Sequence, residues 1–348
     1  MLGIILSLIL AFGAGTILAG VGVADALMQP ARTYLQIVGG FCILNALIPI
    51  CSSYLRAFGF SKEPLYASII GNVINFCLNA FFLFVLHKGV AGVATATVVS
   101  RIINLVIVVL LGAVLVKAKK HPERESNREV MGQIIRIGFP SACETAIYNV
   151  SMTLVIRFLN QMDAQGLNVT ARSYTMQITN FSYCVGAALA QANAIMTGWH
   201  IGAKEYDACD RGTKKAAVIG VIVAVILETV FTLCFGWIMQ LFSKDPQMVS
   251  LVGKLLAIDI VLEIGRVTNL VYGQALKTSG DAVFPVVMGA CFMILCSVGG
   301  TYLFGIRLGL LAVGAYIGMA GDECVRAIGM YLRWKSGKWK QKGLVKSR

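Results

Sequence analysis

The sequence predicts an all-α polytopic membrane protein with about ten transmembrane helices in two pseudo-symmetric lobes, four helices in the first and six in the second. Three observations carry this reading. Hydrophobic residues make up 57% of the 348 and charged residues only 14%, with a mean hydropathy of +0.76. Soluble domains run roughly 45–50% apolar and about 25% charged, so a soluble fold of this size could not hide the excess. Apolar stretches of the ~20 residues that cross a bilayer recur along the chain. Finally, a segment of the first third returns in the last third at fixed spacing.

The spans fall at about 1–22, 33–55, 65–86, 90–117, 133–159, 173–199, 214–241, 248–276, 282–305 and 308–334. The first begins without a basic lead or a small-residue cleavage site and reads as a mature helix. Short connectors rich in Pro, Gly and charge separate the rest. Backbone groups in lipid must be satisfied within the segment, so the spans are helices; the short alternating segments of a β-barrel are absent. The expected organisation is a first lobe at 1–117, a basic cytoplasmic linker at 118–132, a second lobe at 133–334 and a basic cytoplasmic tail at 335–348.

Lys and Arg set the orientation. The net charge of +13 gathers in KAKKHPERESNRE after the fourth span, in Lys204, Arg211, Lys214 and Lys215 after the sixth, and in the tail. If spans alternate, these lie on one side, which the positive-inside rule makes the cytoplasm. Both termini are then cytoplasmic. The charge is not a nucleic-acid footprint, because no basic patch with interleaved aromatics occurs. The ten cysteines form no CxxC and sit mostly in apolar spans, as small buried hydrophobes.

The repeat pairs LRAFGFSKEP (55–64) with LKTSGDAVFP (276–285). Leu55, Gly59 and Pro64 match Leu276, Gly280 and Pro285 at an offset of 221, and after one inserted residue Gly92 matches Gly314. The match keeps its direction, which implies a parallel repeat about an axis along the membrane normal, a transporter architecture. Subtracting 221 from the seventh span lands near residues 1–20, so counterparts of the fifth and sixth spans are expected before residue 1.

No catalytic constellation is present. His87, His121 and His200 lie in connectors or at span ends, and no HExxH, GxSxG or phosphate-binding glycine loop occurs. What remains is ionisable residues inside spans, which are costly in lipid and point to function. In the eighth span, Asp259, Glu263 and Arg266 fall within about 60° of one another on a helix. The stripe is either a cation or proton site, or a substrate-facing wall, or a neutralised Glu263–Arg266 pair tying helices together. Glu144, one turn past Pro140, has no basic residue within reach on its own helix and is a candidate for cation coupling. Glu228 has no local partner, and packing against an arginine elsewhere is the favoured reading. Asp322 and Arg326 are spaced as a local ion pair at i,i+4. Ser68, Asn72, Asn75 and Asn79 share one face of the third span, and Gln177, Asn180 and Gln191 share one face of the sixth. Such stripes line a water-filled path or glue helices together.

Together these segments resemble the multidrug and toxic compound extrusion (MATE) family of cation-coupled transporters. The carrying pieces are GFPSACE (138–144), SYTMQITNFSY with ALAQANAIMTGWHIGAKEYDAC (173–209), LEIGRVTNLVYGQALKTSGD (262–281), YLRAFGFSKEPLYASIIGNVIN (54–75) and GVAGVATATVVSR (89–101). The resemblance covers nearly the whole chain. It implies two six-helix lobes around a V-shaped cavity, with the first span here standing as the family's third helix. It also implies export of amphipathic organic cations against H⁺ or Na⁺ by alternating access, with no cofactor beyond the coupling ion.

The family's first-half cation site uses an Asp on its first helix and an Asn/Asp pair on its fifth, here the third span. Asn75 matches, but Asn79 stands where Asp is usual. Asn carries no charge, so the coupling candidates are Glu144, Asp259 and Glu263, with Na⁺ placed at Glu144 and Glu263. Asn72, Asn75, Asn79, Gln177, Asn180, Gln191 and Arg266 are the substrate-cavity candidates. The expected setting is the plasma membrane of a bacterium and the expected form a monomer. Two alternatives stand beside this reading: a lipid-linked oligosaccharide flippase of the same superfamily, and a non-transporting truncated membrane fragment.

Overall fold

The computed structural model describes residues 2–21, 25–116, 127–162 and 166–341. The linker expected at 118–132 lies outside the described residues up to 126, and the tail expected at 335–348 lies outside them from 342. The described residues form ten helical rods and no strand. We number them α1 (Leu2–Val21), α2 (Met28–Ala57), α3 (Lys62–Val85), α4 (Gly89–Leu115), α5 (Asn127–Met162), α6 (Leu167–Gly202), α7 (Tyr206–Met239), α8 (Pro246–Thr278), α9 (Val283–Arg307) and α10 (Leu311–Lys335). Five of them, α2, α3, α4, α7 and α9, are long and apolar enough to cross a membrane by composition alone. The long rods α5, α6, α8 and α10 carry most of the buried or cavity-lining charges, and α7 adds Glu228. The outer surface is apolar: Leu233, Trp237 and Leu241 are exposed side chains, as expected where the surrounding solvent is lipid.

The chain divides into two compact units, Met1–Glu123 and Arg124–Arg348. In the first, α2, α3 and α4 pack around Leu55, Ala67 and Val108. In the second, one apolar cluster joins α5, α6, α8 and α10 around Leu255, Leu262 and Tyr316, and another joins α6, α7, α8 and α10 around Val267, Val271 and Trp334. All ten cysteines are free thiols.

Local chemistry sets the rod ends. At α8, the Asp245 side chain accepts from the Gln247 amide at 3.0 Å and Pro246 occupies the first turn, a cap whose fixed φ and satisfied amide favour helix initiation. Wide i→i+5 turns end α3 and α9: the Leu86 amide donates to the Phe81 carbonyl at 3.1 Å, and the Leu308 amide to the Leu303 carbonyl at 2.9 Å. Ten rods stand where ten spans were expected, with α5 to α8 running several residues longer than the sequence suggested, whereas these wide turns have no signature in it.

Two close approaches position the polar interior. A Cβ on Gly265 would lie 2.7 Å from the Cys324 amide nitrogen, so α8 and α10 touch backbone to backbone there. Val267 fills the space a Cβ would need on both Gly186 and Gly220, each at 2.7 Å. Small residues let membrane helices approach this closely. The first contact carries the neighbouring Arg266 and Glu323 toward each other. The second draws α6 and α7 onto α8.

Candidate functional site

The second unit holds an open cavity of about 530 Å³. Charged side chains from α5, α6, α8 and α10 line it: Glu144, Arg172, Asp259, Arg266, Lys277, Asp322, Glu323 and Arg326. Tyr148, Met152, Met176, Tyr183, Met293 and Tyr316 supply apolar and aromatic wall between them.

Most of these charges are paired. Arg326 grips Asp322 with two hydrogen bonds of 2.9 Å and approaches Glu323 at 2.8 Å. Asp322 also accepts from Ser297 at 2.9 Å. Glu323 accepts from Asn269 at 3.0 Å and lies 3.8 Å from Arg266. Arg266 bonds Glu263 and sits 5.8 Å from the Tyr183 ring centroid. Lys277 meets Glu144 at 2.6 Å. Both ion pairs spaced for one helix, Glu263–Arg266 and Asp322–Arg326, therefore form.

A second group lies at the α7–α8 contact. Glu228, Asp259 and Glu263 are 0%, 2% and 0% exposed, and one oxygen from each lies within 4.8 Å of the other two. Ser182 and Thr179 on α6 stand beside Glu228 and Asp259 respectively. Both Glu228 oxygens, Asp259 Oδ2 and Glu263 Oε2 lack a hydrogen-bond partner. The sequence reading gave Glu228 an arginine to pack against; its nearest carboxylate neighbours are Asp259 and Glu263, and Arg266 is bonded to Glu263.

The candidates from sequence divide by place. Asp259 and Glu263 come together, and Glu228 joins them; Glu144 stands apart on its Lys277 pair. Asn180 and Arg266 line the cavity. Gln177 and Gln191 are exposed and do not. In the first unit, Asn75 donates to Ser100 at 3.1 Å and Asn79 to Asn75 at 3.0 Å, while Asn72 is exposed. The Asn75–Asn79 stripe therefore acts in part as a hydrogen-bonded ladder. Arg172, Asn269 and Lys277 were not singled out from the sequence. Lys277 lies within the repeated Leu276–Gly280 segment, which was the available signal.

The MatE family model matches residues 1–81 and 140–303. Over 346 residues the chain is 34% identical to the uncharacterized transporter YisQ of Bacillus subtilis, covering 98% of this chain and 76% of that protein. It is 22% identical over 327 residues to the probable multidrug resistance protein NorM of Thermotoga maritima, covering 90% and 68% of the two. In three dimensions it resembles the crystal structure of MATE in the straight conformation, with a TM-score of 0.86 at 19% identity over 98% of this chain and 77% of that one. The polytopic all-α fold is shared between them.

Proposed function

We propose that this chain, which belongs to the MatE family of membrane transporters, exports amphipathic organic cations in exchange for entering H⁺ or Na⁺ by alternating access. The proposed setting is the plasma membrane, as a monomer with both termini cytoplasmic. Its activity is transport and not covalent chemistry.

One observation carries the substrate class. Four carboxylates (Glu144, Asp259, Asp322 and Glu323) and four cations (Arg172, Arg266, Lys277 and Arg326) line the cavity, and two further carboxylates, Glu228 and Glu263, are buried beside Asp259. Fully ionised, this interior is two charges short of neutral. Buried charge is stable only when compensated, so the site favours cationic guests, and its aromatic and methionine walls suit their apolar parts. The flippase reading needs free cations for a pyrophosphate. Three of the four are held by carboxylates, and of the four only Arg172 has no ion-pair partner among the described residues. In this reading Asp259 and Glu263 hold the coupling cation, and Glu144 acts through its pair with Lys277.

The test is ethidium accumulation in cells depleted of their own exporters. Expression of the chain lowers accumulation, and Asp259→Asn combined with Glu263→Gln restores it. Unchanged accumulation of ethidium and other organic cations, with the protein present in the membrane, refutes the reading. Dissipating H⁺ and Na⁺ gradients separately in proteoliposomes identifies the coupling ion.

A further inference from the structure

We propose that Arg172 forms an anion-accepting subsite in the cavity of the second unit, taking the carboxylate of guests that also carry a cationic group. The subsite rests on the transport reading, whose cavity it uses, and extends the guests from organic cations to zwitterions.

The first observation is a buried charge without an anion. Arg172 lines the cavity and is 7% exposed. Its Nη2 donates to the Met152 sulfur at 3.7 Å, and its Nε has no partner. A thioether is a weak acceptor. A guanidinium stays charged at any working pH, so it cannot escape the cost of burial by losing its proton. The second observation is contrast. Arg326 holds Asp322 by two hydrogen bonds, Arg266 bonds Glu263 and Lys277 meets Glu144. An arginine that ties helices together in this interior is anchored as Arg326 is. Arg172 ties down no carboxylate among the described residues, and its fork suits the two oxygens of one.

The third observation is placement. Thr179 on α6 stands beside Asp259. Arg172 lies seven residues earlier on the same rod, two turns along the same face, which is a rise of roughly 10 Å. Tyr316 is within electrostatic reach of both Arg172 and Asp259 and stands beside Thr175. The wall therefore runs from acid through aromatic ring to base. A guest with a cationic group, an apolar body and a carboxylate matches all three. A small inorganic anion is the competing occupant; it would answer the guanidinium and leave the ring and the acid unused.

The experiment is equilibrium binding of rhodamine B and of its ethyl ester to the purified full chain in detergent, read by fluorescence anisotropy. The two dyes share one cationic ring system and differ in whether the carboxylate is free. The wild type should bind the acid about tenfold more tightly than the ester, the difference one charge-assisted fork makes. Arg172→Gln should abolish that preference by weakening the acid alone. Arg172→Lys should keep part of it, and Glu205→Gln, a surface substitution, should leave both dyes unchanged. If Arg172→Gln does not elute as a monodisperse peak, the wild-type preference and Arg172→Lys decide. Equal loss of both dyes in Arg172→Gln would mark a structural arginine and overturn the subsite. Acid binding that requires chloride would overturn it too. Ester binding without preference for the acid removes the subsite and leaves the organic-cation reading standing. Acid binding without ester binding supports the subsite and counts against that reading, and binding of neither dye overturns both.

Discussion

In the first unit Asn75 donates to Ser100 at 3.1 Å, and in the second Ser297 donates to Asp322 at 2.9 Å. The two bonds are the same bond at a constant offset of 222 (75 to 297, 100 to 322). At the same offset, Asn104 of the first unit becomes Arg326, and Arg101 becomes Glu323. The backbone barely distinguishes the units. Gly59 and Gly280 sit at φ +91° and +90°, and His87 with Gly89 takes the left-handed region as Gly309 with Leu311 does. The Lys88 amide reaches the Phe82 carbonyl at 2.9 Å, as the Leu310 amide reaches Phe304 at 3.1 Å. One scaffold thus carries a neutral polar ladder in the first unit and an ionic network in the second. The turns are held in common while the side chains they deliver have diverged.

The largest contrast should appear on removing the acceptor. Asp322→Ala leaves Arg326 buried with half its partners gone, a loss of about 3–5 kcal/mol. Ser100→Ala removes two neutral hydrogen bonds, one accepted from Asn75 and one donated to the Thr97 carbonyl, at about 0.5–1.5 kcal/mol each. Unfolding of the purified chain, followed by titration with a denaturing detergent, measures both; equal losses would break the comparison. Next come the glycines where the turn meets the following helix. An added methyl on Gly92 meets Phe82 Cβ at 2.7 Å, and one on Gly314 meets the backbone of Phe304 and Gly305. Gly314→Ala should cost about 1–3 kcal/mol and Gly92→Ala less, because a side chain yields more readily than a backbone.

Smaller still, and equal, are Gly59→Ala and Gly280→Ala. Both force a side chain into left-handed backbone, at about 1–2 kcal/mol each. A marked inequality in thermal melting would show that the shared turn is not doing the same job twice. The smallest effect is expected for Ser297→Ala, about 1 kcal/mol. Asp322 keeps its two bonds to Arg326 there, so transport should fall little.

Hydropathy made the ten rods legible, and one-helix spacing made Glu263–Arg266 and Asp322–Arg326 legible. Glu144 looked partnerless because its partner, Lys277, arrives on α8, and helical reach says nothing about neighbouring helices. Glu228 was set aside for the same reason: its neighbours are side chains of another rod, brought in where Val267 seats against Gly220. The polar stripe on α6 was read as one face, yet only Asn180 reaches the cavity, since Gln177 and Gln191 lie too far round or along the helix. The LKTSGD repeat showed that a turn recurs, but not that it ends beside the lysine holding Glu144.

At the end of α10, Trp334 and Trp339 stack with ring centroids 4.1 Å apart and planes 10° from parallel, both buried. The Trp334 indole donates to Asp210 at 2.7 Å and the Trp339 indole to the Trp334 carbonyl at 3.0 Å. These are two of the four tryptophans of the chain, and the other two, Trp199 and Trp237, are exposed. The protein therefore carries an intrinsic optical reporter. Two parallel indoles at van der Waals range couple their electronic transitions, giving a near-ultraviolet circular dichroism couplet that single, lipid-facing indoles lack. Its disappearance would time the release of the Lys338–Gln341 turn from α7 without any attached label.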